Sequence, residues 1–328
     1  MRRGHEHVNA TVSGAGTATE YSGLEERAKL LRHIAIVTHC VPDLDAVVAA
    51  WTQYLGYRVV ERGELGADLC AAWNAPAAAG QRYCTLAPAS GQESYIRFVE
   101  TSDPGGYGPP MTFGWNATEL LVLDVDALAL RFRGSPFRVL GGPGDLYPRP
   151  RAPRAMQVVG PSGELIYFTR ILPGGSRYGL HGARSPVDRV FIVTVGGPSS
   201  EAMHAFYGGT LGHRIMDRMP FINTILAHGC GVPPSTVFPT SIARIPGRSF
   251  LVEMDQYPPG VGPRQRRDGH LPPGMAMVSF LVRDLDDVPV PVRAPPRTAG
   301  GIPYGGRRVA VTEGPAGEWL ELIEGDHK

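Results

Sequence analysis

From residue 32 onward, short apolar runs and one amphipathic stretch follow each other in an order that the chain then repeats. The run "HIAIVTHCV" at 33–41 is apolar at most positions and reads as a strand. "PDLD" comes next, where Asp43 is placed to cap a helix. "AVVAAWTQYLG" then has helical apolar spacing and stops at Gly56, a C-cap signal. Three strand-like segments complete the set: "YRVVERG", "RYCTLAP" and "SYIRFVE". The unit predicted over 32–100 is therefore β-α-β-β-β. A unit of the same order starts at "RVFIVTV", continues through "SSEAMHAFYGGTLG", and has "HRIMDRM", "NTILAHG" and "SFLVEMD" as its remaining strands. Two further units have weaker helices, around "DVDALALRF" and "DLDDVPVPV"; the prolines of the latter disfavour a full helix.

The four units group into two homologous halves. "RHIAIVTHC" (32–40) returns as "DRVFIVTVG" (188–196), an offset of 156, and "YIRFVETSDPGG" runs parallel to "LVEMDQYPPG" at the same offset. "TELLVLDVDAL" returns as "SFLVRDLDDV" at an offset of 160, and "GPSGELIYF" as "GPAGEWLEL" at 154. Matches in one order at nearly constant offset predict halves at 31–172 and 187–328, a linker at 173–186 and a flexible tail at 1–30. The last echo keeps a Gly-Pro-x-Gly-Glu turn but sets Tyr167 opposite Glu321.

A chain of 328 residues is long enough for two ordinary cores. Its net charge of +1 offers no general attraction to nucleic acid or to an anionic membrane. No apolar run nears the roughly 18 to 20 residues needed to span a bilayer. The N-terminal segment starts basic but has no apolar core, so no secretory signal is expected. Cys40, Cys70, Cys84 and Cys230 have no paired spacing, which predicts reduced thiols in a cytoplasmic protein. "RPRAPR" and "RQRRDGH" read as solvated loops, and His204 and His213 as surface residues.

The β-α-β-β-β order with "HIAIV", "DLD" and "YLGY" resembles the vicinal oxygen chelate superfamily, which includes glyoxalase I and the extradiol ring-cleavage dioxygenases. The resemblance covers 31–326. It implies an α+β fold of four βαβββ units forming two eight-stranded cup-like half-barrels, each cup built from two successive units with its ligand inside. It also implies that functional side chains come from the first and last strands of the units. Carried over, the first-strand positions are His33, Glu119, Arg189 and Ser279, and the last-strand positions are Arg97, Tyr167, Glu253 and Glu321.

The iron set of the resembled dioxygenases, two His and a carboxylate, would fall on Arg189, Ser279 and Glu321. An arginine stays protonated and cannot ligate. A divalent metal is left open with an incomplete ligand set, and no cofactor is assigned. The N-terminal cup would hold His33, Arg97, Glu119 and Tyr167, with Arg97 pairing Glu119 while His33 and Tyr167 handle protons. The C-terminal cup would offer Glu321 as base, with Arg189, Glu253 and Ser279 as substrate contacts. His39 shares strand parity with His33 and would face the same cup.

The expectation is an enzyme doing non-redox chemistry, as an isomerase, lyase or cyclase, on a small oxygenated aromatic or polyketide-like molecule. His33, Glu119, Tyr167 and Glu321 are its candidate catalytic residues. Neither nucleic acid nor membrane is expected as a partner, and a homodimer is left open. Two alternatives stand beside it: a diverged metal-dependent ring-cleavage dioxygenase, and a non-catalytic small-molecule binding protein.

Overall fold

The computed structural model describes residues 29–101, 107–176, 179–217, 221–246 and 250–325, so nearly all of the expected tail at 1–30 lies outside the described residues. Unit one contains β1 (His33–Val41), α1 (Leu44–Ala50), β2 (Arg58–Glu64), α2 (Ala67–Ala72), β3 (Arg82–Ala87) and β4 (Tyr95–Glu100). Unit two contains β5 (Gly114–Val122), α3 (Val125–Arg131), β6 (Arg138–Asp145), β7 (Arg154–Val159) and β8 (Leu165–Arg170). Unit three begins with β9 (Val187–Gly197), α4 (Ser200–His204) and β10 (Arg214–Asp217). A short pair, β11 (Phe221–Ile222) and β12 (Val237–Phe238), then brackets α5 (Thr224–Gly229), before β13 (Thr240–Ile245) and β14 (Phe250–Gln256). Unit four is β15 (Met275–Val282), β16 (Arg297–Ala299), β17 (Arg307–Glu313) and β18 (Trp319–Glu324), with turns in place of its helix, as its prolines require.

These strands make two eight-stranded sheets, in the orders β16-β17-β18-β15-β1-β4-β3-β2 and β10-β13-β14-β9-β5-β8-β7-β6. Four units and two cups are as expected. The pairing is not. Successive units do not share a cup: unit one joins unit four, and unit two joins unit three. The cause lies in the first strands, which pair antiparallel across halves, β1 with β15 and β5 with β9. A repeat in sequence reveals which units are equivalent but carries no information on which edges meet.

All four first strands are buried at every residue. Ile34, Val37, Leu120, Val193, Val278 and Phe280 pack on one face with the helices in a core shared by both sheets. The opposite face of each sheet lines a cup. α1, α3, α4 and α5 begin where a side chain can accept a free backbone N–H: Asp43 accepts from Ala46 N–H at 2.9 Å, and Asp124, Ser199 and Asn223 cap α3, α4 and α5 in the same way. Two segments differ from expectation. "NTILAHG" is the helix α5 rather than a strand, started by the Asn223 cap, and the strand expected there is supplied by β13. The "RQRRDGH" run is not wholly solvated. Half-buried Arg264 donates to the Trp115 carbonyl at 2.5 Å and the Met275 carbonyl at 2.8 Å, tying a strand of one sheet to a strand of the other.

Within each half, the helix of one unit is anchored on the Gly-Pro-x-Gly-Glu turn of the next. Trp51 donates its Nε1–H to Glu164 at 3.0 Å, and Tyr207, 156 residues later, donates its hydroxyl to Glu318 at 2.9 Å. The second oxygen of each carboxyl accepts a turn N–H, from Ser162 and Ala316, both at 2.8 Å. A Cβ at Gly160 or Gly314 would lie 2.1 or 2.0 Å from these carboxyl oxygens, so only glycine fits at the head of the motif. The second glycines, Gly163 and Gly317, turn the chain at φ of +85° and +77°. The motif is kept because it holds the units of one half together while the sheets join units of different halves. His213, expected on the surface, is buried and accepts Leu31 N–H at 3.2 Å, a bond between unit three and the start of unit one.

Burial pushes the Glu164 and Glu318 carboxyls up to about 7, against the N–H and O–H donors that favour the ionised form. The folded chain keeps these protons where the unfolded chain has released them. Their contribution to stability is therefore full below the usual 4.5 and is lost as pH rises through 7. The rise from 4.5 to about 7 is worth roughly 3 kcal/mol for each group. Urea midpoints measured between about pH 5 and about pH 8 should fall with pH in the native protein and change less in a Glu164→Gln/Glu318→Gln protein. Equal slopes would remove these two groups as the source.

Candidate functional site

Sheet register decides which side chains meet inside a cup. In the cup of units one and four, Arg97 lies beside Thr38 and Glu321 beside Ser279. In the cup of units two and three, Tyr167 lies beside Glu119 and Glu253 beside Thr194. The first-strand residues at the level of the last-strand set are thus Thr38, Glu119, Thr194 and Ser279. Thr38 and Thr194 escaped the sequence reading, although they too stand 156 residues apart. His33 and Arg189 sit five residues upstream, about 16 Å along extended strands.

His33 is buried, with Nε2 at 2.7 Å from the Glu93 carbonyl, which it meets as a donor, and its ring edge-on to Phe250 at 4.5 Å. The Arg189 guanidinium stacks on the same Phe250 ring at 4.6 Å. His39 does not share His33's cup, because β1 is bulged between Ile34 and Ile36 and the parity breaks. Its ring lies 5.7 Å from core residue Phe98, and burial, with the Arg264 charge, lowers it to about 3, so it is neutral. The expected pairing of Arg97 with Glu119 does not form either: they belong to different sheets.

The cup of units one and four is filled. α2 and the residues after it place Trp73 inside, and Tyr304 enters from the other side; both are at most 2% exposed. Glu321 accepts from Trp73 Nε1 at 2.5 Å, from Tyr304 at 3.0 Å and from Ser279. Arg97 donates to Tyr304 at 2.7 Å and to Thr38 at 2.9 Å, stacks on Trp73 at 4.8 Å, and stands 3.9 Å from Glu321. Arg97, Ser279, Thr38 and Glu321 are each at most 1% exposed. Every group at this level is spent on another.

The cup of units two and three is different. Tyr167, Glu253, Gln157 and Thr240 are only half-buried. Glu119 accepts the Thr169 hydroxyl, Asp255 accepts the Thr240 hydroxyl at 2.6 Å, and Asn223 donates to the Tyr167 oxygen at 3.3 Å. Burial, joined by the negative charges of Glu253, Asp255 and Glu119, raises the Tyr167 phenol far above neutrality. It is held as a proton donor among carboxylates. Apolar clusters flank this polar level, one around Leu121, Ile192 and Leu251 and one around Leu226, Phe238 and Tyr257. The space under α5, lined by Tyr167, Thr194, Asp255 and Tyr257, is about 10 Å³.

Neither donor set suits the metal that the resemblance implies. In the filled cup the lone carboxylate is saturated by donors and faced by an arginine. In the other, Thr194 and a phenol kept protonated take two of the four places. Among the described residues, no group of three or more His, Cys, Asp or Glu is arranged to hold an ion. No step is routed through a metal.

No protein-family profile and no curated protein matches the chain. Solved structures do. Glyoxalase I from Zea mays is similar at a TM-score of 0.60 and 14% identity, over 92% of this chain and 94% of that one. A point variant of the maize enzyme gives 0.62 and 13%, over 92% and 96%. A candidate dioxygenase from Bacillus subtilis gives 0.60 and 11%, over 90% and 86%. Among the described residues, no helix is long and apolar enough to cross a membrane.

Proposed function

The chain has the fold of the vicinal oxygen chelate superfamily, and from that premise we propose that it is an enzyme working through its units-two-and-three cup alone. There it moves a proton on a small oxygenated molecule without metal or redox chemistry. The observation that carries this reading is the set Glu119, Tyr167, Thr194 and Glu253 at one level of a cup where Tyr167 and Glu253 are only half-buried, while the twin set is closed on itself. A carboxylate takes a proton from carbon or oxygen, and the phenol of Tyr167 donates to the oxygen where charge develops. Such a pair suits isomerisation, cyclisation or elimination next to a carbonyl.

The space under α5 is too small for a substrate, so entry displaces this six-residue helix. Asn223 links the helix to the Tyr167 oxygen, and the movement has to open the cluster in which Leu226 and Ala227 pack with Phe238 and Tyr257. The test is proton exchange. β-Dicarbonyl compounds and hydroxylated aromatic ketones incubated with the protein in D₂O should gain deuterium at the activated carbon, followed by NMR. A tight ligand recovered without exchange or conversion would instead make the chain a binding protein.

A further inference from the structure

A second pocket lies away from both ligand levels. It occupies about 330 Å³ at the start of β1 and is lined by His33, Ala35, Glu93, Tyr95, Leu281, the 301–305 turn and Arg307. This is within the size range of small-molecule sites. Its walls are fixed in advance. The turn is pinned on one side by Glu61, which accepts Ile302 N–H at 3.0 Å, and on the other by buried Tyr304, which binds Arg97 and Glu321. His33 holds the Glu93 backbone through its 2.7 Å bond to that carbonyl.

The chemistry of the walls is polarised. Ala35, Leu281, Ile302 and Pro303 make an apolar middle. In the sheet order, β17 with Arg307 stands three strands from β1 on one side, and β4 with Tyr95 is next to β1 on the other. Arg307 therefore lines one wall of the pocket, and Glu93 with Tyr95 the opposite one. Among the described residues, neither Arg307 nor Tyr95 makes a side-chain hydrogen bond. A carboxylate that already has a partner still accepts further donors, since its two oxygens offer about four sites. We propose that this pocket binds a small molecule with an apolar body, a carboxylate at one end and an ammonium at the other. The carboxylate meets Arg307 in charge-assisted bonds, and the ammonium meets Glu93.

Titration calorimetry on the full chain tests this with 4-(aminomethyl)benzoate, and with benzoate and benzylamine as singly charged controls. The dipolar probe should bind saturably and at least about tenfold more tightly than either control. Arg307→Gln and Glu93→Gln, both exposed and expected to fold, should each weaken it by about tenfold. Tyr167→Phe should leave it unchanged, which separates this site from the proton-transfer cup. Absence of binding at millimolar probe overturns the site. Equal affinity for benzoate, or indifference to both glutamine variants, overturns the ligand class.

Discussion

A Glu119→Gln protein is expected to lose about 10² to 10⁴ of its deuterium-exchange rate while remaining folded. The amide keeps an oxygen for the Thr169 hydroxyl, so the local packing survives, but it cannot take a proton at neutral pH. Tyr167→Phe removes the donor and leaves Asn223 without that acceptor, and should cost a similar factor. The loss should fall on kcat more than on KM, because both groups act where charge develops. Each protein's melting temperature must be close to that of the parent for the reading to hold. If Glu119→Gln exchanges at the parental rate, Glu119 is not the base.

The second large effect is on stability and lies in the filled cup. Arg97→Met should destabilise the fold by about 3 to 5 kcal/mol, because it strands the Glu321 carboxylate in a site with no access to water. Adding Glu321→Gln should restore much of this loss, since a neutral amide can still meet Trp73 and Tyr304. The double-mutant cycle between the two then measures their coupling directly. Coupling near zero would mean that Tyr304 and Ser279 screen the pair completely, and that the cup is not held by its charges.

Much of the architecture was legible because it is written in local patterns. Apolar runs marked the first strands, Asp43 and Gly56 bounded the first helix, and constant offsets revealed the repeat. The pairing of units was not legible. It depends on β1 meeting β15 and β5 meeting β9, contacts 65 or more residues apart that leave no mark on either segment. The site was legible in part. Glu119, Tyr167 and Glu253 are brought together as ligand-level residues. His33 and Arg189 were carried over from the resemblance as first-strand positions, yet register places Thr38 and Thr194 at that level. The 156-residue spacing of the two threonines was the available signal, but only sheet register tells it apart from the equal spacing of His33 and Arg189. α5 was misread because its apolar residues fit a short strand as well as a helix, and the Asn223 cap decides between them.

The central claim is that one cup acts and its twin serves as core. A crystal structure of the protein with a compound that it exchanges or converts tests this most directly. The account predicts the ligand in the cup of units two and three, with an oxygen within hydrogen-bond reach of Tyr167 and its labile hydrogen facing Glu119 or Glu253, and with α5 displaced. A ligand seated against Arg97, Glu321 and Trp73, with Tyr304 swung out, would contradict it.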